Sequence, residues 1–357
     1  MDEKIINDTR LQIIEIIRSF NDDLHGSLAV AKGNHLIWRG GFTYDNAPLT
    51  TFEHQQYLIA SITKQFTAAG LLRYLYIHER AVQETPADQQ QTILDSITQS
   101  LHTPLIKLFS PRCLPDLLHP EICLHVTLHQ LLTHTSGITA LNMPLQSEPG
   151  TEYHYSNVGY NLIGDILQKI SHIPLNDYFS KMLFEPMSMK NSFLTTQGTT
   201  HTLHKKQKFE NLLLGIERTI VNDRATYKPA KQIKMSELAT AGGMISTPLD
   251  LFLWTRSLYA GQEVIPNYLI NLMTTPHVQK PAHALYDGCN TLHHGYGIDL
   301  YQENDKTVYQ IAGGISGYQS RITYNPKTEV CIINLSNISE EQPAIFALAN
   351  ILRDNLT

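Results

Sequence analysis

Ser61-Ile62-Thr63-Lys64 sets a hydroxyl and an amine three residues apart, a spacing that puts both side chains on one face of a helix. An amine held beside a serine hydroxyl can take its proton, which would turn Ser61 into a nucleophile for acyl transfer. The pattern is weak alone, because about one chance match is expected in such a chain. Farther along, Tyr155-Ser156-Asn157 adds a phenol and an amide. Tyr155 could serve as a second base, or as the acid that returns a proton to a leaving group, if a cation such as Lys64 lies beside it. Asn157 could orient Lys64 and bind a substrate carbonyl. The plain alternatives are a helix start with a surface lysine, and a turn with a core tyrosine. Lys64 becomes a base only if burial or neighbouring cations lower its pKa from about 10.4 toward neutrality.

The surrounding elements bear on that choice. Tyr57–Ala60 reads as a short buried strand and Lys64–Leu75 as a mostly apolar helix. Ser61 is therefore predicted at a strand-to-helix junction, where free N–H groups and the helix dipole favour developing negative charge. Upstream, Ile5–Phe20 carries an apolar stripe suited to packing on a sheet. Ser27–Ala31 and His35–Gly41 read as strands around a Lys32-Gly33-Asn34 turn. From the nucleophile helix to about residue 240 the chain reads as mainly helical and loop-rich. Thr127-Leu128-His129-Gln130 opens one helix as a capping box. Thr247-Pro248-Leu249-Asp250 opens another, with Pro at its first position. The polar stretch Thr195–Lys208 reads as a flexible insertion. Strand signals return at Thr307–Ala312, Tyr318–Tyr324 and Thr328–Leu335, before a closing helix around Pro343–Leu352.

Taken in order, these landmarks resemble the serine beta-lactamase-related hydrolases: class C beta-lactamases, D,D-peptidases, D-aminopeptidases and esterases of the same fold. The resemblance runs from Tyr57–Leu75 through Leu131–Ile138, Glu148–Thr151 and Tyr155–Tyr160 to Ala241–Thr247, and ends near Ile311-Ala312-Gly313-Gly314. It implies an α/β (α+β) fold with an antiparallel sheet from both chain ends, flanked by helices, and a mainly helical insertion. Residues 1–62 and 240–357 would form the discontinuous sheet lobe, residues 63–239 the helical lobe, with the active site between them. Ser61, Lys64 and Tyr155 would be catalytic. The N–H groups of Ser61 and Gly314 would form an oxyanion hole, worth several kcal/mol of transition-state stabilisation. Tyr44-Asp45-Asn46 shares the Tyr-x-Asn spacing, but it precedes Ser61, in the region that resembles the family's early hairpin. His134, Gly137, Gly242, Gly243 and Thr247 resemble landmarks that hold loops and helix starts.

One element departs from the family pattern. Where the family carries Lys-Thr/Ser-Gly or His-x-Gly, this chain has Ile311-Ala312-Gly313. Ile311 cannot anchor a substrate carboxylate and Ala312 cannot assist proton transfer. Beta-lactams and C-terminal D-Ala peptides are thereby disfavoured relative to esters or amides without a carboxylate beside the scissile bond. His293, His294 or Arg321 could supply the missing cation from a nearby strand. The expected reaction is ester or amide cleavage through an acyl-enzyme, which requires no metal or organic cofactor. D-aminopeptidase, D,D-peptidase or weak beta-lactamase activity is the alternative, and a binding or scaffold protein with little turnover is the rival from another class.

Composition narrows the partners. The chain has 357 residues, 42 % hydrophobic and 17 % charged, ordinary for a protein with a sizeable core. A net charge of −6 argues against a general nucleic-acid or anionic-membrane binder. A small molecule or peptide is the expected substrate. Cys113, Cys123, Cys289 and Cys331 have no metal-type spacing and read as isolated thiols, although a Cys113–Cys123 bridge is conceivable in an oxidising compartment. His125 and His129 have helical i, i+4 spacing without the acidic partner of a zinc-protease motif. Met1-Asp2-Glu3-Lys4 is charged, and neither a leader-length nor a bilayer-spanning apolar run follows it. The protein would begin in the cytosol if Met1 is native, and could be periplasmic or secreted if Met1 replaces a removed leader.

Overall fold

The computed structural model describes residues 3–19, 25–42, 54–82, 90–116, 118–203, 205–221, 224–261, 264–282, 291–303, 306–339 and 344–356. Its strands, in chain order, are β1 (Gly26–Lys32), β2 (His35–Phe42), β3 (Tyr57–Leu58), β4 (Phe193–Leu194), β5 (Ile216–Val221), β6 (Arg224–Pro229) and β7 (Met244–Ser246). They continue with β8 (Val278–Gln279), β9 (Thr291–His294), β10 (Asp299–Glu303), β11 (Lys306–Ile315), β12 (Tyr318–Asn325), β13 (Val330–Ser336) and β14 (Ile338–Ser339). Eight of them form one antiparallel sheet in the order β2-β1-β13-β12-β11-β10-β9-β8. The N-terminal hairpin and the C-terminal strands thus meet at the β1–β13 pair, Ala29 opposite Ile333.

Both faces of that pair are covered, which is why β1 and β13 read as near-continuous apolar runs. Side chains alternate between the faces. Leu28, Val30, Val330 and Ile332 pack with Ile13 of helix α1 (Glu3–Ser19) and with Ile345, Leu348 and Leu352 of the C-terminal helix Ala344–Asn355. Ala29, Ala31, Cys331, Ile333 and Leu335 face the main core instead. Helix α2 (Thr63–Val82) runs through that core, burying Phe66, Ala69 and Leu72 completely. Phe66 stacks on Trp254 at 4.0 Å, and the Trp254 indole N–H donates to Gln65 Oε1 at 2.6 Å. Helices Asn157–Ser171 and Met235–Gly242 approach closely at Gly164, where a Cβ would stand 2.2 Å from Thr240 Oγ1.

The capping box forms as expected: Gln130 N–H donates to Thr127 Oγ1 at 3.2 Å, and Thr127 N–H to Gln130 Oε1 at 2.9 Å. Thr247 caps the helix Pro248–Tyr259 by accepting from Asp250 N–H. Other local readings change. The strand before Ser61 is only Tyr57–Leu58, and Ser61 lies in a 3-10 turn, Ala60–Ile62, that runs into α2. Thr195–Lys208 contains the short helix Thr200–Leu203, docked through buried Thr195, Thr200 and Leu203. The mainly helical span also contains β4 and the β5–β6 hairpin, which pairs with β14 in a three-stranded sheet. Strands β8, β9 and β10 escaped the sequence reading because they are short. His125 and His129 fall on separate helices, Pro120–His125 and Leu128–Leu132, so their spacing describes no common face. Cys113, Cys123 and Cys331 are unpaired. Cys289, Pro343 and Tyr44-Asp45-Asn46 lie outside the described residues. Among the described residues no helix is long and apolar enough to cross a membrane.

Candidate active site

Ser61 is held by its backbone neighbours before any chemistry is considered. Ile59 N–H donates to Met244 O at 3.0 Å, extending the β3–β7 pairing by one bond. The Ser320 hydroxyl donates to Ile59 O at 2.7 Å. Between these anchors and the helix, Ala60 takes a left-handed φ of 45°, a conformation that costs a non-glycine residue about 1–2 kcal/mol. Thr63 closes the turn, donating its hydroxyl to Ala60 O at 2.7 Å and accepting Met244 N–H at 3.1 Å.

Lys64 is only 2 % exposed, and its Nζ lies 3.1 Å from Ser61 Oγ, 2.8 Å from Asn157 Oδ1 and 2.7 Å from Ala241 O. Burial lowers its pKa to about 7, because a buried ammonium loses its hydration. A neutral amine has two N–H groups and one lone pair. With the N–H groups directed at Asn157 Oδ1 and Ala241 O, the lone pair is left for the Ser61 hydroxyl. The Ala241 carbonyl was not among the residues expected at the site, although Ala241–Thr247 was recognised as a landmark.

Tyr155 converges on the same oxygen: its hydroxyl donates to Ser61 Oγ at 2.7 Å, and Lys64 Nζ stands 4.7 Å from its ring centroid. Half of the Tyr155 surface is exposed (51 %), but its hydroxyl end reaches into the cavity. Burial of that end, with Asp299 adding to it against the opposing Ser61 hydrogen bond, pushes its pKa up to about 12. Tyr155 is therefore a protonated phenol near neutrality. A resting-state base role is disfavoured, and the proton-donating role remains. The next residue, Ser156, caps the helix Asn157–Ser171 through Gly159 N–H and donates its hydroxyl to Ile138 O. Asn157 occupies the first turn of that helix, where its amide meets Lys64.

Strand β11 forms the opposite wall. Its pairing with β10 ends at Gln310, opposite Asp299, so the edge beyond Gln310 runs past Ser61 without that neighbour. A Cβ on Gly313 would stand 2.4 Å from Ile59 O and 2.8 Å from Ser61 N. Gly313→Ala should therefore push β11 off the Ser61 turn and lower the rate at which Ser61 is labelled at least tenfold. Stopped-time labelling with a serine-directed phosphonate measures this, and an unchanged rate would show that the strand can shift freely. Ile311 (7 % exposed) and Ala312 line a cavity of about 170 Å³ with Ser61, Lys64 and Tyr155. Gly314 is exposed on the same strand.

The compensating cations fall differently from expectation. Arg321 donates to Phe346 O at 2.7 Å and stacks on the Phe346 ring, so it is committed to the C-terminal helix. His293 pairs with Leu300 and Gln279 and does not line the cavity. His294 does line it, and its Nδ1–H donates to Asp299 Oδ1 at 2.6 Å. Lys280, which no sequence signal marked, enters just beyond β8 and pairs with Asp299 Oδ2 at 2.9 Å. Tyr153 completes this side, its ring 5.5 Å from Lys280 Nζ. A larger, apolar hollow of about 500 Å³ lies between the β5–β6 hairpin and Tyr318. Size does not make it the reactive site, for its serine, Ser316, donates to Glu217, a carboxylate that its hydrogen bonds from Ser316 and Lys228 hold below the usual pKa and make a weak proton acceptor.

Comparison with known proteins agrees with this fold. A family described as Beta-lactamase matches residues 14–355. Protein flp of Staphylococcus aureus (strain MW2) is 23 % identical over 95 % of this chain, which spans only 65 % of that protein's length. D-amino acid amidase from Ochrobactrum anthropi SV3 is 22 % identical, superposing with a TM-score of 0.69 over 98 % of this chain and 97 % of its own. An octameric penicillin-binding protein homologue from Pyrococcus abyssi is 22 % identical, with a TM-score of 0.67 over 99 % of this chain and 78 % of its own.

Proposed function

The chain belongs to the beta-lactamase family, and from that premise we propose that it is a serine hydrolase that forms an acyl-enzyme on Ser61. The observation that carries the reading is Ser61 Oγ held between a buried amine at 3.1 Å and a phenol at 2.7 Å. Ser61 gives its proton to Lys64 as Oγ attacks the substrate carbonyl. The N–H groups of Ser61 and Gly314 hold the oxyanion, an arrangement supported by the passage of β11 beside Ser61. Tyr155 protonates the leaving group, and the resulting phenolate takes the proton from the Lys64 ammonium. Water then attacks the acyl carbon, losing a proton to the same pair. Its addition breaks the bond to Ser61 Oγ, which is reprotonated.

Neutral esters and amides are the proposed substrates, ahead of D-amino-acid or D-Ala peptides and well ahead of beta-lactams. Ile311 offers no charge, and Lys280 is offset by Asp299. A lysine at position 311 would give a substrate carboxylate a charge-assisted bond worth roughly 1.5–3 kcal/mol. Its lack should weaken carboxylate-bearing substrates about ten- to a hundredfold relative to neutral ones. A turnover screen with short acyl esters, D-amino-acid amides and a chromogenic cephalosporin, run beside Ser61→Ala, is the test. Measurable ester cleavage with slow cephalosporin hydrolysis is expected, and Ile311→Lys should narrow the gap. A preference for the cephalosporin would defeat the neutral-substrate proposal and point to Lys280, to be checked with Lys280→Met. Failure of a serine-directed phosphonate to label Ser61 would favour a binding protein instead.

A further inference from the structure

The cavity beside Ser61 holds little more than the reacting end of a substrate. It measures about 170 Å³, whereas sites that enclose a small molecule usually offer roughly 300–1,000 Å³. The hollow between the β5–β6 hairpin and Tyr318 offers about 500 Å³. Leu214, Ile216, Tyr227, Pro229 and Ala230 supply its apolar surface, and Leu214 and Tyr227 are exposed at its rim (59 % and 42 %). Polar groups on its wall are committed to protein partners. Lys228 Nζ pairs with Glu217 at 3.1 Å, and the Ser316 hydroxyl donates to the same carboxylate. The Tyr318 hydroxyl donates to Leu213 O at 2.6 Å, and Thr200 Oγ1 accepts Ile233 N–H at 3.2 Å. An apolar chain can therefore lie there without displacing the partners of these groups.

Strand β11 connects the two spaces. Alternate residues of a strand share a face and stand about 7 Å apart. Ala312 lines the catalytic cavity, Gly314 follows it, and Ser316, one residue past the strand end, lines the hollow. Ala312 and Gly314 are exposed. Among the described residues, no atom outside its chain neighbours stands within 4 Å of where a Cβ on Gly314 would be. The direction of this edge decides which half of a substrate follows it. Tyr155, the proposed donor to the leaving group, shares the cavity with Ile311 and Ala312. From Gly314 toward Ser316 the strand leads away from that end, so the acyl half lies along it. Resting on the hydrolase reading, we propose that the hollow receives the acyl chain of the substrate. The preferred class is then esters or amides of apolar straight-chain acids long enough to pass Ser316, octanoyl and decanoyl among them. Each methylene buried is worth about three- to fourfold in binding, and binding of such a remote group can be spent at the reacting carbonyl.

A series of p-nitrophenyl esters from acetate to decanoate, each kept below its aggregation threshold, tests the assignment. Acetyl and butyryl chains end short of Ser316, so kcat/KM should change by no more than about threefold between them. From butyrate to decanoate it should rise about tenfold or more. Leu214→Glu sets a carboxylate at an exposed rim position, and should cut the decanoate-to-acetate ratio of kcat/KM by about fivefold or more. A second measurement needs no turnover. 1-Octanol added to the Ser61→Ala protein should shift the backbone ¹H–¹⁵N signals of Gly215, Ala230 and Ser316, and the added Leu214→Glu change should weaken that response. A flat ester series, a ratio unmoved by Leu214→Glu, or octanol shifts confined to other residues would overturn the acyl-chain assignment. With Ser61 still labelled by the phosphonate, any of these leaves the hydrolase reading standing. If Ser61 is not labelled and no ester is cleaved, the hydrolase reading itself fails and takes the assignment with it.

Discussion

Ser61→Ala should abolish covalent labelling by a serine-directed phosphonate and lower ester turnover by on the order of 10⁴–10⁶. The expected size follows from the site. Lys64 and Tyr155 both converge on Ser61 Oγ, so removing that atom leaves nothing for them to activate. The fold should survive, because the turn is held by Ile59, Thr63 and Ser320 and not by the serine hydroxyl. Intact-protein mass spectrometry after phosphonate treatment reads the labelling, and a thermal melt checks the fold. Near-wild-type turnover by the folded variant would end the acyl-enzyme proposal.

Lys64→Met should lower kcat by about two or more orders of magnitude, and it should also change the pH dependence of both rate and stability. Lys64 accepts a proton only when neutral, which at a pKa of about 7 means above that pH. Wild-type kcat/KM should therefore fall about tenfold per pH unit below 7 and level off above it. Lys64→Met should lose that limb. Tyr155→Phe should lower kcat comparably but retain the limb, because the amine is still present.

In Lys64→Met, stability is expected to change in the opposite sense to activity. The unfolded chain holds the Lys64 proton up to about pH 10.4, whereas the folded chain releases it near pH 7. Between those values the unfolded state binds more protons, so stability rises with pH. Below pH 7 the penalty of a buried ammonium is fully present, on the order of 5 kcal/mol. Lys64→Met removes it, so the variant should melt higher than the wild type, by most at pH 6 and below. Melting curves from pH 5 to pH 9 test this, and a difference independent of pH would show that Lys64 does not titrate as a buried amine.

Much of the molecule was determined locally and could be read from the chain. The Ser61-x-x-Lys64 spacing is a property of a single turn of helix, and the Thr127 and Thr247 caps bond only three residues away. The near-continuous burial of β1 and β13 likewise follows from their apolar runs once two covered faces are assumed. What the tertiary structure decided involves groups far apart in sequence. Burial lowers the Lys64 pKa, and Asn157 and Ala241, residues 93 and 177 positions away, take its hydrogen bonds. Burial also raises the Tyr155 pKa, which is why an acid rather than a base role is proposed for it. Lys280 and Asp299 reach the cavity because short strands β8 to β10 align there, and Arg321 leaves it because its strand turns that side chain toward Phe346. Spacing fixes which neighbours along the chain can meet, but desolvation and ion pairing depend on what the rest of the fold brings alongside.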